Sequence, residues 1–384
     1  MALTFAAAAC GATPPPVKKV KPPPVVNNAS LLQQARDAAK KGDNDTADQK
    51  YQAAEKQKAD IAIYQEHVDW LIKVKRIDAA VATSKAYYEA KPADTKGYHL
   101  YANALIAAGD FATALDVTQQ ILGLDENDAA AHEKRGRALI LAKKLDEGLD
   151  EIRKAVQLAP QDAQLLISLG SALQRAGKVD EAALQLREAI KLAPEDARAH
   201  RLLGMVLRDQ FELDEAQVYL TKATKLDPTD SRAWFELGVL QNKKGDGLGA
   251  EESLKKAVDL DPDDATNWYA YGEQLRLNDK MDDALVAYKK AMTLKPPHPK
   301  ASAKYGLTLA LAKKYGEAET FLTDAIRDDP KNAYNYENLG VVYEGEKKYK
   351  FAVDAYEKFV ELVDKSDGDV PKVKAKIKEL KGKH

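Results

Sequence analysis

Few of the residues that commonly perform chemistry are placed where they could act together. The 384-residue chain has one cysteine, Cys10, and six histidines that lie far apart in sequence. A single cysteine permits neither an intrachain disulfide nor a zinc site built on several thiolates. The sequence also contains no phosphate-binding glycine loop of the P-loop type, no GxSxG nucleophile elbow and no HExxH metal motif. It therefore predicts a protein that is not an enzyme and that has no metal or cofactor.

Cys10 is distinctive because of its neighbours. Small and apolar residues precede it, and residues 11–27, GATPPPVKKVKPPPVVN, contain two triple prolines around three lysines. Proline fixes the backbone angle φ and removes an amide donor, so this segment can form neither a helix nor a sheet. As polyproline II it would span roughly 50 Å. The sequence predicts a stiff linker that begins directly after the cysteine.

The residues around Cys10 resemble the lipobox of bacterial lipoproteins. In that motif, small residues such as the alanines of 7–9 precede a cysteine that becomes lipid-modified. The resemblance implies that residues 1–10 are the remnant of a signal peptide whose true start lies upstream, and that Cys10 carries a membrane anchor. In such lipoproteins an aspartate after the cysteine can retain the protein in the inner membrane. Gly11 stands there instead, which implies the periplasmic face of the outer membrane; the alternative is a cytoplasmic protein with a chance cysteine.

Composition limits the remaining classes of function. Lys and Arg number 58 against 60 Asp and Glu, for a net charge of −2. The basic excess that usually accompanies nucleic-acid binding is therefore missing, and no nucleic-acid partner is expected. Hydrophobic residues make up 45% of the chain, which is enough for a folded core. A mean hydropathy of −0.48 argues against a multi-span membrane protein.

From residue 28 onward the chain repeats with a period of 34 residues. Prolines recur at this interval, at positions 160, 194, 228, 262, 296 and 330. Pro92 and Glu126 continue this series toward the N-terminus. Residues suited to capping the next helix recur two positions after members of the series: Asp94, Asp128, Asp162, Asp196, Asp230, Asp264 and Asn332. A second series is predicted to cap the second helix of its unit: Asp146, Asp180, Asp214 and Asp282. Two helices per 34 residues predict an all-α fold of the α-solenoid type, in which each unit buries its apolar face against its neighbours.

The units resemble the tetratricopeptide repeat. One unit carries the family's pattern in Trp268, Gly272, Leu275, Ala284, Tyr288, Ala291 and Pro296. The resemblance implies a right-handed superhelix of about ten helix pairs. The predicted units are about 28–60, 61–94, 95–128, 129–162, 163–196, 197–230, 231–264, 265–298, 299–332 and 333–366. Residues 367–384 are predicted to form a C-terminal capping helix and a basic tail.

Two patterns that could suggest a bound ligand have simpler explanations in this repeat. The glycine-rich residues 245–252, GDGLGAEE, fall at the turn between the two helices of one unit. His132 and His200 occupy the repeat position of Trp234 and Trp268. The sequence therefore predicts a helix turn in the first case and residues at the edge of the core in the second.

The resemblance also implies a binding groove. In this family the inner surface is lined by first-helix residues at fixed repeat positions. In this chain those positions hold a largely basic set with interleaved aromatic and apolar residues: Arg175, Arg198, Arg201, Met205, Arg208, Arg232, Phe235, Lys243, Tyr269 and Arg276. The expected ligand is an extended acidic segment of a protein or peptide, gripped by arginine forks on its carboxylates. The alternative is that these arginines pair with Asp and Glu within the array.

The resulting hypothesis is a non-enzymatic scaffold. Anchored by lipid in the bacterial envelope, it would bind partner proteins for the assembly of a pilus, secretion, motility or polysaccharide-export machine. The alternative is a cytoplasmic adaptor, or the substrate-recognition subunit of a separate enzyme.

Overall fold

A computed structural model of the chain describes residues 27–383. Residues 1–26, with Cys10 and nearly all of the predicted linker, lie outside the described range. Within that range the regular structure consists of 21 α-helices: α1 Asn28–Lys40, α2 Asn44–Gln57, α3 Ile61–Lys73, α4 Ile77–Ala90, α5 Thr95–Ala108, α6 Phe111–Leu124, α7 Ala129–Leu141, α8 Leu145–Leu158, α9 Ala163–Arg175, α10 Val179–Leu192, α11 Ala197–Asp209, α12 Leu213–Leu226, α13 Ser231–Lys243, α14 Gly247–Leu260, α15 Ala265–Leu277, α16 Met281–Thr293, α17 Ala301–Leu311, α18 Tyr315–Asp328, α19 Ala333–Gly345, α20 Tyr349–Leu362 and α21 Val370–Lys381. The all-α prediction is confirmed.

The helices belong to two compact units, Met1–Leu124 and Asp125–His384. The first contains the three helix pairs of α1–α6, and the second contains seven pairs followed by α21. The repeat pattern predicts residues 28–366 as one array and gives no signal for this boundary. Between residues 92 and 330, the position that is proline in the other repeats is Glu126 in one repeat. Glu126 lies just after Leu124, the last residue of the first compact unit.

Aspartate caps begin the first helix of most pairs. The predicted caps whose side chains accept a hydrogen bond from a first-turn amide are Asp94, Asp128, Asp162, Asp196, Asp230 and Asp264. Asn332 occupies the same position, but its side chain makes no cap hydrogen bond. A satisfied cap stabilises a helix by about 1 kcal/mol. The repeat boundary is therefore fixed largely by one residue type.

The prediction that the second aspartate series caps the second helices is wrong. The amide of Lys144 bonds the carbonyl of Leu139, 2.9 Å away, and closes a tight turn in which Lys143 has a φ of 66°. Because this turn is short, α8 already begins at Leu145, and Asp146 lies inside its first turn. Asp180, Asp214 and Asp282 are placed in the same way. There each carboxylate favours the positive end of the helix dipole instead of capping it.

Glycines allow the two helices of a pair to approach closely. A Cβ atom placed on Gly204 of α11 would lie 2.6 Å from Cγ of Leu220 and 3.2 Å from the carbonyl oxygen of Ala216, both on α12. The equivalent glycines Gly170, Gly238 and Gly272 meet Leu186, Leu254 and Tyr288 in the same way. Each large side chain therefore packs directly on the backbone of the facing helix.

One apolar core continues from pair to pair in the second unit. Leu186, Leu203 and Leu220 are fully buried and belong to a single cluster that extends from Leu149 to Leu240. Since this cluster contains residues of four successive repeats, from α8 to α13, each pair completes its core with residues of the next. This is the packing that an α-solenoid requires.

The C-terminal helix α21 covers the end of the last pair. Val373 and Leu380 are buried with Phe359 of α20, which is fully buried where other repeats have a small residue. Several lysines of α21 are engaged by acidic neighbours: Lys376 lies 2.9 Å from Glu344, and Lys372 and Lys381 pair with Asp369 and Glu357. Lys383, just after the helix, pairs with Glu379. The helix thus has one face for the core and a charged outer face, as a terminal cap needs.

Candidate functional site

A groove of about 630 Å³, here the central groove, is formed by the first helices of four successive repeats, α9, α11, α13 and α15. Its lining contains six of the ten residues predicted for a ligand groove, together with three carboxylates. The residues that line it are Ser171, Gln174, Arg175, Arg198, Arg201, Leu202, Met205, Asp209, Arg232, Phe235, Glu236, Asp264, Thr266 and Asn267. The structure therefore brings the middle of the predicted set together.

Helical periodicity explains why α11 contributes so much of this surface. Arg198, Arg201 and Met205 are spaced by three and four residues, so they share one face of the helix. Leu203 and Leu207, on the other side of α11, are fully buried in the core. The apolar face thus orients the basic face toward the groove.

A smaller space of about 250 Å³, here the arginine pocket, adjoins the central groove. Four arginines from α7, α9, α11 and α13 line it, together with two serines and a few apolar side chains: Arg137, Arg175, Arg198, Arg232, Ser168, Ser171, Ala172, Ile140, Leu141 and Ile152. Sequence reasoning missed Arg137. It occupies the repeat position of Met205 two units earlier in the chain, so reading that position in the unit 129–162 as well would have found it.

Three of the predicted arginines are neutralised inside the array. Nε of Arg201 lies 3.0 Å from Oδ2 of Asp230. Arg208 bonds Glu236 and lies 3.3 Å from Asp209, and Nη2 of Arg276 lies 3.5 Å from Oε2 of Glu273. The alternative of internal pairing is correct for these three residues.

Arg175, Arg198 and Arg232 differ from them. Within the described part of the chain, none of the three guanidinium groups has an ion pair or a side-chain hydrogen bond. Desolvation among the surrounding helices lowers the pKa of Arg198, and the nearby charges of Arg137 and Arg201 lower it further. The opposing charges of Glu133 and Asp196 are weaker influences on this pKa. Like charges are therefore only partly compensated here, which favours binding of an anion.

Four predicted groove residues do not line the central groove. Arg208 lies one turn beyond Met205 and turns toward Glu236. Arg276 is held beside Glu273. Lys243, at the end of α13, places its ammonium 3.9 Å from the ring centroid of Phe211. In each case a nearer partner binds the side chain.

Tyr269 is the fourth of these residues, and it belongs to a second groove of about 710 Å³, here the lateral groove. Its ring stacks on that of His298 at a centroid distance of 3.8 Å. Burial and the charge of Glu273 raise its pKa to about 12. The lateral groove is also lined by Ala303 and Leu307 of α17 and by polar residues of α19. Of the predicted aromatic residues, only Phe235 remains in the central groove.

The aromatic residues at the edge of the core have a structural role, as predicted. Nε1 of Trp234 donates to the carbonyl oxygen of Pro228 at 3.0 Å, and Trp268 donates to Pro262 at 2.9 Å. The same six-residue link joins His200 to Pro194, His132 to Glu126, Tyr98 to Pro92 and Tyr336 to Pro330. Each such bond ties a first helix to the end of the preceding repeat.

Other sites of chemistry do not appear in the part of the chain that the structure describes. Gly245 lies in the turn before α14, and Gly247 and Gly249 lie in the first turn of that helix, as the helix-turn prediction requires. Asp246 caps α14 by accepting from the amide of Gly249. Across residues 27–383, no group of three or more His, Cys, Asp or Glu is arranged to hold a metal ion. None of the described helices has both the length and the apolar character needed to cross a membrane.

Comparisons with known families agree with this architecture. Tetratricopeptide repeat models match residues 101–163, 167–221 and 207–273. A further model, the TPR domain of cytochrome c-type biogenesis protein H, matches residues 260–370. These matches extend from residue 101 to residue 370, and the chain belongs to the tetratricopeptide repeat proteins.

The fold is shared with a solved structure that matches most of the chain, and two other solved structures are similar to about half of it. The human IFIT1 dimer with m7Gppp-AAAA is 18% identical over 88% of this chain and 82% of that chain, with a TM-score of 0.56. YrrB, described as a TPR protein with an unusual peptide-binding site, is 27% identical over 49% of this chain and 96% of its own, with a TM-score of 0.37. PilF of Pseudomonas aeruginosa is 20% identical over 53% of this chain and 93% of its own, with a TM-score of 0.47. Comparison with curated proteins gave no match.

Proposed function

We propose that the protein is a non-enzymatic scaffold that binds an extended acidic segment of a partner protein in its central groove. The observation that carries this proposal is the contrast between the two signs of charge in the groove. Arg175, Arg198 and Arg232 lack acidic partners, whereas the carboxylates that line the same groove are already engaged. The charged groups of the groove that remain free to bind a ligand are therefore its arginines.

The engagement of the groove carboxylates can be followed one by one. Oδ2 of Asp209 accepts from Nε2 of Gln174 at 3.1 Å, and Glu236 is bonded by Arg208. Asp264 caps α15 by accepting from the amide of Thr266 at 2.7 Å. None of these carboxylates is directed at Arg175, Arg198 or Arg232, so the two sets of charges do not cancel.

The chemistry of the groove fits a peptide with both acidic and apolar side chains. Guanidinium groups form paired hydrogen bonds with carboxylates, which gives orientation as well as attraction. Phe235 and Met205, both half-buried, offer an apolar surface between the arginines. Thioether and aromatic side chains adapt to varied partners. An extended segment could therefore alternate between ionic and apolar contacts along the groove.

Binding of a defined acidic peptide tests this function. The probe is a fluorescein-labelled ten-residue peptide rich in Asp and Glu with one Phe, and its isosteric Asn/Gln version serves as the reference. Replacement of Arg175, Arg198 and Arg232 by Gln should weaken binding of the acidic probe at least tenfold, measured by fluorescence anisotropy at low salt. Affinity for the wild-type protein should fall as salt rises, because charges are screened beyond a Debye length of about 8 Å at physiological ionic strength.

A matched control separates the groove from net charge. Arg153, Arg187 and Arg327 are partly exposed arginines of second helices, and replacing all three by Gln removes the same charge away from the groove. Exposed ion pairs of this kind contribute little to stability. The proposal fails if the control variant loses as much affinity as the groove variant, or if neither loses any.

We further propose that the scaffold is anchored by lipid at Cys10, on the periplasmic face of the outer membrane, and that it serves the assembly of an envelope machine. The lipobox-like residues and the following proline-rich segment support the anchor. The match of residues 260–370 to a TPR domain named for cytochrome c-type biogenesis supports a role in assembly. The partner proteins would then be components or substrates of that machine.

A further inference from the structure

We infer that the arginine pocket binds a phosphate monoester, carried by a phosphorylated residue of the bound segment, in preference to a carboxylate. This inference rests on the proposed function, since the segment is the one held in the central groove. The pocket adjoins that groove and is lined by arginines of four successive repeats.

The charge that remains in the pocket exceeds what one carboxylate can neutralise. Arg137 is partly compensated by Glu133, whose Oε1 lies 3.6 Å from its Nε and also accepts from Ser168 at 2.8 Å. Arg175 and Arg198, like Arg232, have no such partner in the described structure. A carboxylate supplies one negative charge, whereas a phosphate monoester supplies −1.5 to −2 at neutral pH, a general property of such groups. The dianion is the better match to the uncompensated charge.

The donors also approach from different directions. The three uncompensated guanidinium groups come from α9, α11 and α13, and the Ser171 hydroxyl lies in the same wall with no hydrogen bond to a described residue. A phosphate monoester offers three acceptor oxygens in a tetrahedral arrangement. The oxygens of a carboxylate lie in one plane and are best matched by a single fork. Convergent donors on several helices therefore favour the tetrahedral group.

The volume of the arginine pocket limits how much of the phosphorylated ligand can enter it. The pocket measures about 250 Å³, below the roughly 300–1,000 Å³ of pockets that hold drug-sized ligands. It therefore admits a phosphate and its ester linkage, but not a nucleotide as a whole. The rest of the ligand must extend into the central groove.

The lining of the central groove favours a peptide over a nucleic acid as the carrier. Asp209, Glu236 and Asp264 all line the path that leads away from the pocket. A polynucleotide would bring a further phosphate past these carboxylates at each nucleotide, which like-charge repulsion opposes. A peptide can place neutral or apolar side chains beside these carboxylates and its acidic side chains beside the arginines, whereas a polynucleotide carries a phosphate at every nucleotide. The net charge of −2 for the whole chain points the same way.

The experiment compares small probes that differ only in the anionic group. N-acetyl-phosphoserine methylamide, N-acetyl-glutamate methylamide and inorganic phosphate are titrated at matched ionic strength into the full chain. Binding is followed through the arginine Nε–H signals in NMR spectra. The phosphoserine probe should bind at least fivefold more tightly than the glutamate probe at pH 7.5. The difference should shrink toward pH 5, because the second pKa of a phosphate monoester is about 6.

Single substitutions test whether the preference for phosphoserine over glutamate depends on Arg198. Arg198→Gln should abolish it, and Arg198→Lys should reduce it, because lysine keeps the charge but loses the fork. Arg187→Gln, on the second helix of a repeat, is the control and should leave the preference unchanged. Equal affinity for the two capped probes would overturn the inference, as would a preference that survives in Arg198→Gln.

The remaining outcomes separate the carrier and the proposed function. Inorganic phosphate binding more tightly than capped phosphoserine would overturn a phosphorylated residue as the ligand. A 5′-phosphorylated tetra-adenylate binding more tightly than the acidic ten-residue peptide with a central phosphoserine would overturn the peptide as carrier. If the protein prefers capped phosphoserine but binds no acidic peptide, the proposed function is wrong and the preference of the pocket for phosphate is supported. If acidic peptides bind equally well with Ser, Glu or phosphoserine at the centre, the proposed function is supported and the preference for phosphate is wrong.

Discussion

At the scale of the residue, the turn inside each repeat imposes a left-handed backbone on one position. The residues concerned are Gly42, Lys75, Gly109, Lys143, Gly177, Phe211, Gly245, Asp279, Lys313 and Lys347, with φ between 60° and 81°. From Lys75 onward they recur every 34 residues, so the repeat fixes the conformation while the residue type varies. Residues with a Cβ atom are strained there by roughly 1–2 kcal/mol. The array tolerates this strain at six positions.

Substitutions at two of these turn positions test whether the left-handed backbone conformation causes the strain. Gly177→Ala should lower the free energy of unfolding by about 1 kcal/mol, although an added Cβ would meet no atom within 4 Å. Lys143→Gly should raise it by up to about 0.5 kcal/mol, because relief of strain exceeds the entropy gained by the unfolded chain. Gly123→Ala is the control, since Gly123 also has open space around it but lies within α6. Urea denaturation decides; destabilisation by Gly123→Ala equal to that of Gly177→Ala would contradict the explanation.

At the scale of the element, the close approach of α11 and α12 depends on Gly204. Gly204→Leu should cost about 1–3 kcal/mol, because the new side chain must displace Leu220 or separate the helices. Since neighbour interactions dominate stability in such arrays, the damage should be greatest near the substituted pair. Hydrogen exchange of residues 163–264 measures it. Adding Leu220→Ala should restore part of the protection, because it vacates the space; unchanged exchange in the single variant would show that the helices are not in tight contact.

The capping helix depends on a different large residue. Phe359→Ala should cost about 3–5 kcal/mol of local stability, because the fully buried ring packs against α21 through Val373 and Leu380. Amides of Val370–Lys381 should lose protection from hydrogen exchange first, and those of α9–α14 should keep theirs. Lys374→Ala changes the exposed face of the same helix and should alter neither. Retained protection of α21 in Phe359→Ala would refute this coupling.

The elements and the groove differ in how well the sequence predicts them, for a physical reason. Helix boundaries follow from local signals, such as the cap at Asp162, so the pairs can be placed from spacing alone. The left-handed turn at Lys143 has no such signal, because lysine does not favour that conformation, and the second-helix starts were misplaced as a result. Whether Arg201 is free to bind a ligand depends on its distance from Asp230, which lies 29 residues away and caps α13 of the next helix pair. That is decided by stacking between repeats, which spacing does not encode.

At the scale of the whole molecule, a negative chain carries a locally positive groove. The net charge of −2 is small because 58 basic and 60 acidic residues nearly cancel. Many of these charges are paired between successive repeats, as in Lys244 with Asp214 and Lys314 with Asp282. In the central groove, Arg175, Arg198 and Arg232 have no ion pair within the described residues, so positive charge remains there. Such local fields steer charged partners at rates that depend on salt.

The position of the protein in the cell is the property on which the envelope proposal depends, and Cys10→Ser tests it. Expressed in a bacterial host from a reading frame that includes any upstream leader, the wild-type protein should fractionate with the outer membrane and show the added mass of more than one acyl chain. More than one chain is needed because each buried CH₂ contributes only about 0.8 kcal/mol, so a single chain anchors weakly. Cys10→Ser should move the protein to the soluble fraction while its circular dichroism stays the same, since the described helices begin at Asn28. Gly11→Asp is the matched control: it keeps the cysteine and should shift the protein to the inner membrane. Membrane association that persists in Cys10→Ser would eliminate the lipid anchor and favour the cytoplasmic alternative.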